Sequence, residues 1–173
     1  MDQTNDTPAM LPFRIGHGFD LHRLEPGREL VIGGVTIEHD RGAAGHSDGD
    51  VVYHAATDAI LGALGRPDIG QLFPDHDPQW QGADSRVFVA EADRVMREDG
   101  YVIGNLDVTV ICQAPKLSPH KQQMRKNLAY LLGCEIQQVN LKGKTHEQVD
   151  AVGEGRAIEC HVVVLLLRDQ PPG

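Results

Sequence analysis

Residues 157–167 read A-I-E-C-H-V-V-V-L-L-L. Successive strand residues point to opposite faces, so a run that is apolar at both parities describes a central strand covered on both sides. Working outward, Phe13–His22, Tyr101–Cys112 and Val139–Lys144 also read as strands. Glu29–Glu38 reads as another, with Gly33-Gly34 predicting a bulge or bend. Three segments have helical spacing. In Ser47–Leu64 the apolar stripe is Val52, Ala55, Ala56, Ala59, Ile60, Ala63 and Leu64, with Ser47 as the expected N-cap. Asp50, His54, Asp58 and Leu61 fall on the opposite face. Ser85–Glu98 turns Phe88, Ala92, Val95 and Met96 inward and stops at Gly100. Pro119–Leu132 has Met124, Leu128, Leu131 and Leu132 as its stripe. The mixture predicts an α/β fold of the α+β sandwich type, a mixed β-sheet with helices packed on one face.

Composition bounds the function. The chain has 173 residues, 40% hydrophobic and 24% charged, which suits one globular domain over 13–168 with loose tails at 1–12 and 169–173. No apolar run approaches the ~20 residues of a membrane helix, so no membrane partner is expected. The formal net charge of −9 argues against a nucleic-acid partner, which calls for a basic stripe. Three cysteines, Cys112, Cys134 and Cys160, form no C-x-x-C pair and fit the cytoplasm.

Two short segments carry the chemistry: G-H-G-F-D-L-H at 16–22 and H-S-D-G-D-V-V-Y-H at 46–54. On a strand, Asp20 and His22 share one face, and His54 projects from a helix. One carboxylate and two imidazoles suit zinc and leave a fourth position open, as catalytic zinc requires. A plain ion pair is the alternative for Asp20 and His22. Asp58, one turn from His54, is expected to orient it, or else to form a simple helix pair. His46 and Ser47 precede a helix N-terminus, where a phosphate can bind. The loop D-I-G-Q-L-F-P-D-H-D at 68–77 suits a cation or sugar hydroxyls, or is a solvated turn. Q-A-P-K-L-S-P-H at 113–120 is a stiff loop in which Lys116 can meet a phosphate. Lys142, Lys144, Thr145 and Glu147 suit a diphosphate with Mg²⁺, or a surface turn. No phosphate-binding P-loop, nucleophile elbow or dinucleotide fingerprint occurs.

Taken in order, R-I-G-H-G-F-D-L-H, H-S-D-G-D-x-x-x-H-A-x-x-D-A, D-I-G-Q-L-F-P-D-x-D, G-A-D-S-R, N-L-D-V-T-V-I-C-Q-A-P-K and V-N-L-K resemble the 2-C-methyl-D-erythritol 2,4-cyclodiphosphate synthase family. The resemblance spans Arg14 to Arg168. It implies a homotrimer with active sites between adjacent subunits. It implies conversion of 4-diphosphocytidyl-2-C-methyl-D-erythritol 2-phosphate to the cyclodiphosphate with release of CMP, in non-mevalonate isoprenoid biosynthesis. It implies Zn²⁺ on Asp20, His22 and His54, and Mg²⁺ or Mn²⁺ on Glu147 with the substrate diphosphate. His46 and Ser47 match a loop near the substrate phosphates, and Thr145 a residue that steadies the transition state. Asp58, Asp68, Gly70, Phe73, Asp75 and Asp77 match the side that holds methylerythritol. Cys112, Ala114, Pro115, Lys116, Leu117 and Ser118 match the cytidine loop, and Lys144 is placed to add a phosphate contact. The chain departs from the usual A-T-T-T-E-x-L-G-F-x-G-R-G-E-G: residues 143–157 read G-K-T-H-E-Q-V-D-A-V-G-E-G-R-A. Ala151 stands at the aromatic position, and Glu154 and Arg156 exchange the usual order. Two other readings stay open here, a metal-dependent phosphohydrolase and a non-catalytic nucleotide-binding trimer.

Overall fold

A computed structural model describes residues 12–45, 47–74, 77–80 and 82–169. In chain order the elements are β1 (Phe13–Pro26), β2 (Leu30–Ile32), β3 (Val35–Ile37), β4 (Arg41–Ala43), α1 (Val51–Leu64), α2 (Ile69–Leu72), α3 (Arg86–Glu98), β5 (Tyr101–Ile111), α4 (Lys121–Leu131), β6 (Val139–Lys144), α5 (Asp150–Gly153) and β7 (Ala157–Arg168). The tails at 1–11 and 170–173, and the site residues His46 and Asp75, lie outside the described residues. Asp169, assigned above to the C-terminal tail, donates its amide to the Gly100 carbonyl.

Five strands form a mixed sheet in the order β4-β1-β7-β5-β6. β7 is central and antiparallel to both β1 and β5, while β5 and β6 are parallel. The register collects one apolar row from each strand on a single face: Leu106, Val108 and Val110 of β5, Val139 and Leu141 of β6, Cys160, Val162 and Val164 of β7. A bulge at Gly104 shifts the alternation so that both Ile103 and Leu106 face inward. The helices cover this face. The opposite face is open, which corrects the expectation that β7 is covered on both sides within the chain. Val163 and Leu167 are 46% and 42% exposed, beside exposed Phe13, Ile15, Phe19 and Leu21 of β1.

Two local readings are also corrected. The Glu29–Glu38 segment is a hairpin, β2 and β3, because Gly33 and Gly34 both take positive φ (57° and 70°) and close a two-residue turn. The N-cap of α1 is Asp50, not Ser47. The Asp50 carboxylate accepts from the amides of Val52 (3.0 Å), Tyr53 (3.2 Å), Gly33 (2.9 Å) and Gly34 (2.6 Å), tying the helix start to the hairpin turn. Asp50 and Leu61 are therefore buried instead of outward, because α1 is wrapped by the sheet, by α3 and by the hairpin.

The seat of α1 on β1 depends on two glycines. A Cβ at Gly16 would lie 1.8 Å from the Ala59 carbonyl oxygen, and one at Gly18 would lie 1.9 Å from that of Ala55. Backbone meets backbone there, so neither neighbour can yield by rotating a side chain. Gly18→Ala should therefore lower unfolding free energy by about 3 kcal/mol, the upper end for overpacked cores. Urea unfolding measures this, and a loss below ~1 kcal/mol would show that α1 can lift away freely.

Asp50 also makes a pH prediction. Burial pushes its carboxyl up to about 6 from 3.8, against the opposing pull of the Gly34 and Gly33 amides. Between those values the folded chain holds a proton that the unfolded chain has lost, so this group's contribution to stability falls as pH rises across the window and is level above it. Asp50→Asn does not titrate and serves as the reference. The stability difference, wild type minus variant, should decline from pH 4 to pH 6 and then flatten in denaturant titrations; a rise over that interval contradicts the assignment.

Candidate functional site

Gly16 and Gly18 are the inward residues of β1, and the next two inward positions are Asp20 and His22. Since Gly16 lies under Ala59 and Gly18 under Ala55, these two come level with the first turn of α1, where His54 projects. The three side chains converge. Asp20 Oδ2 is 2.9 Å from His22 Nε2 and 2.9 Å from His54 Nδ1, and the two ring nitrogens are 3.0 Å apart. Burial would raise the Asp20 carboxyl, but hydrogen bonds from His22 and His54 outweigh it and hold the group well below the ordinary range. Burial would lower His54, and the Asp20 carboxylate reverses that and raises it. The donor set is two imidazole nitrogens and one carboxylate oxygen, all within 4.8 Å of one another, and it is the only such group of three among the described residues. That set fits a divalent cation, which would replace the protons these contacts share.

The orienting residues are not the expected one. Asp58 makes no hydrogen bond to His54 and instead accepts the Ile69 amide at 2.8 Å, capturing a free N–H at the start of α2. His54 Nε2 instead lies 2.9 Å from Ser85 Oγ and 3.0 Å from Ser47 Oγ. Ser85 is fully buried, and its hydroxyl donates to Asp48 Oδ1 at 2.5 Å. With its own proton committed to Asp48, Ser85 accepts from Nε2, and Nδ1 is directed toward Asp20 and His22. Sequence reasoning missed Ser85 and Asp48 because serine before a helix reads as a cap. Here the Ser85 side chain makes no capping bond.

A cavity of about 610 Å³ opens from these residues, lined also by Ser47, Ile69, Gly70 and Phe73 and by Arg23 and Arg28, which lie 3.7 Å and 3.5 Å from the Glu25 carboxylate between them in the lining. Phe73, Trp80 and Phe88 stack edge-on or tilted, with centroids 4.6–6.0 Å apart, and form an aromatic floor that sequence reasoning did not assign beyond Phe73. Asp68 and Asp77 stay outside this wall. Asp68 caps α2 through the Gln71 amide at 2.9 Å, and Asp77 accepts the Gln79 amide at 3.1 Å.

A second cavity of about 330 Å³ gathers Cys112, Pro115, Lys116, Leu117, Ser118, Lys144, Thr145 and Glu147 beyond the ends of β5 and β6. Ala114 does not line it, and Lys142 points to the open sheet face, where it pairs with Asp107. Thr145 Oγ1 donates to Glu147 Oε1 at 2.9 Å. Burial pushes the Cys112 thiol up to about 11, so it is no nucleophile at neutral pH. β1, β5 and β6 run in one direction, so both cavities sit at the same end of the sheet. They share no wall residue, and β7 separates their strands.

The YgbB family model matches residues 13–167. The chain belongs to the YgbB family, the 2-C-methyl-D-erythritol 2,4-cyclodiphosphate synthases. The chloroplastic synthase of Arabidopsis thaliana is 63% identical over 166 residues, covering 95% of this chain and 72% of that protein. The synthase of Serratia proteamaculans is 53% identical, covering 90% and 99%. Among solved structures, IspF of Plasmodium falciparum in a CDP complex is 39% identical with a TM-score of 0.81, covering 91% of this chain and 97% of that one. The activity is that of a synthase: a lyase of the non-mevalonate pathway that forms the cyclodiphosphate and releases CMP, in preference to a hydrolase or a non-catalytic binder.

The Ser85 contact can be tested in this synthase without turnover. Ser85→Ala should weaken divalent metal binding about 10–100-fold, as loss of a ligand's supporting hydrogen bond does elsewhere. Competition against a chromophoric chelator reads it directly. Unchanged affinity would mean that Ser47 alone suffices to hold His54.

Proposed function

We propose that Asp20, His22 and His54 hold Zn²⁺, that Glu147 takes Mg²⁺ or Mn²⁺ with the substrate diphosphate, and that the two cavities of neighbouring subunits in a homotrimer join to form one active site. The convergence of the three donor atoms within 3.0 Å carries this reading. The split into two cavities supports the shared site. The first supplies the metal ligands, an aromatic floor and two arginines. The second supplies Lys116, Lys144, Thr145 and Glu147. Each lacks what the other has. The exposed apolar row of β1 and β7 supports contact with further copies, since a face of that extent calls for a cover.

In the reaction a 2-phosphate oxygen attacks the distal phosphorus of the diphosphate. One P–O bond forms, the P–O bond to the CMP phosphate breaks, and CMP leaves with that oxygen. The nucleophile belongs to the substrate, so the protein chiefly has to bend and hold a flexible polyanion. Such positioning is worth roughly 7–11 kcal/mol. The bound divalent ions supply charge neutralisation and polarise the phosphoryl oxygens. Ser47 and, by resemblance, His46 lie at the phosphate end. Gly70 and Phe73 leave room and an apolar edge for methylerythritol, and by resemblance Asp58, Asp68, Asp75 and Asp77 complete that side. The loop 112–118 offers backbone groups to the cytosine, as CDP binding in the Plasmodium relative suggests. Thr145 steadies the leaving phosphate. Cysteine usage supports a cytoplasmic setting.

Product analysis with the diphosphocytidyl substrate tests the reading. CMP and cyclodiphosphate should form in equal amounts, vanish with a chelator and return with metal. His54→Ala should lose zinc and turnover while staying folded; full turnover by metal-stripped His54→Ala would sink the metal assignment. Subunit sharing has its own test. His54→Ala and Thr145→Ala should each be inactive, yet mixed trimers made by subunit exchange should regain part of the activity, because one interface then carries both intact halves. No recovery after verified exchange would place both halves within a subunit.

A further inference from the structure

The segment that departs from the family pattern is held in an unusual backbone. Glu147, Gln148 and Asp150 have φ of 51°, 65° and 63°, a left-handed conformation that residues with a side chain rarely adopt. Three such residues within four positions need an external hold, and the structure shows one. His146 reaches in two directions: Nδ1 is 2.9 Å from Asp150 Oδ2, and Nε2 is 3.2 Å from Glu159 Oε1. Asp150 is fastened in turn, with Oδ1 accepting the amides of Val152 at 2.8 Å and Gly153 at 3.2 Å. Gly153 closes the loop tightly, since a Cβ there would lie 2.7 Å from the Gln148 carbonyl carbon. Glu159 is on β7, on the open face of the sheet, with its side chain only 13% exposed. His146 thus links the central strand to α5. Its neighbours on either side, Thr145 and Glu147, line the second cavity, and His146 does not.

We propose that His146 is a positioning residue. By bridging Asp150 and Glu159 it holds Glu147, Gln148 and Asp150 in the left-handed backbone, and so fixes Thr145 and Glu147 where a nucleoside diphosphate and its divalent cation meet them. The proposal rests on the second cavity being the nucleotide end of the site. The geometry separates it from a general packing role. The imidazole is partly exposed, its polar partners are two carboxylates, and none of the three residues belongs to the apolar core.

The test uses the full-length zinc-loaded protein and three variants, His146→Ala, Asp150→Gly and the double. Hydrogen exchange of the amides at 147–152 reads the lock without any ligand. CDP affinity with and without Mg²⁺ reads the cavity. Zinc content and melting temperature serve as controls. His146→Ala should speed exchange at 147–152 about tenfold and cut the Mg²⁺-dependent gain in CDP affinity about tenfold, with zinc content unchanged, a span typical of coupled contacts. Glycine adopts positive φ freely, so Asp150→Gly should harm the wild type more than it harms His146→Ala, and the two effects should be non-additive. Wild-type exchange and Mg²⁺ response in His146→Ala would overturn the proposal. So would faster exchange spread evenly over the whole chain, or strictly additive effects. If the wild type bound no CDP, the assignment of the cavity would fall, and the exchange data would still decide whether His146 locks the loop.

Discussion

Backbone contact between β1 and α1 is the constraint on which the site depends. With glycine at 16 and 18, the helix lies directly on the strand, closer than any side chain permits. That closeness brings a histidine of the helix within 3.0 Å of two strand residues without distorting either element. Move the helix out by the width of one methyl group, and the donor atoms of His54, Asp20 and His22 no longer converge. Asp50 fixes the other coordinate. It caps the helix and grips the β2–β3 turn, so α1 can neither slide along the strand nor rotate. A candidate metal site built on rigid elements in this way has its geometry set before any ligand arrives.

What could be read from the chain follows from what each signal measures. Periodicity reports which residues are apolar, and it located β1, β5, β6, β7, α1, α3 and α4 but gave no sign of β4. It failed for Leu61 and Asp50, where the helix is wrapped on more than one side and a polar residue is buried by its hydrogen bonds. The Asp–x–His pattern made the ligand pair legible because strand geometry alone puts both on one face. Ser85 was out of reach for the opposite reason. It lies 31 positions from His54, and only the packing of α3 on α1 brings its hydroxyl to the ring. Asp58 had the right spacing, but its carboxylate was taken by a nearer donor, the Ile69 amide. Spacing states who can meet, and competition among donors decides who does.

The two faces of the sheet divide the labour. The inner face is covered by α1, α3 and α4 except where Asp20 and His22 open onto the first cavity. The outer face keeps most of its exposed apolar residues on β1 and β7, interrupted by His17, Glu159 and His161, and carries the Lys142–Asp107 pair toward β5 and β6. An all-polar outer face would suit a monomer, and a wholly apolar one would suit burial within a larger domain. A face divided in this way suits contact over one half and a solvated rim over the other. The two cavities sit at the same end of that sheet. In the proposed trimer, whichever contact covers the apolar half would also decide which cavities meet.

A reaction whose nucleophile lies within the substrate places unusual weight on loop geometry. No side chain has to be activated, and the raised thiol of Cys112 is consistent with that. The barrier is lowered by holding phosphoryl groups in line against their mutual repulsion, so small displacements of the groups that hold them are costly. Strain in residues 147–150 is intelligible on those terms. A relaxed loop would visit several conformations, and each would present Thr145 and Glu147 differently. A strained loop pinned at His146, Asp150 and Gly153 has one. The pins lie outside the wall of the second cavity. Thr145 and Glu147, bonded to each other at 2.9 Å, are the residues this segment presents to the second cavity.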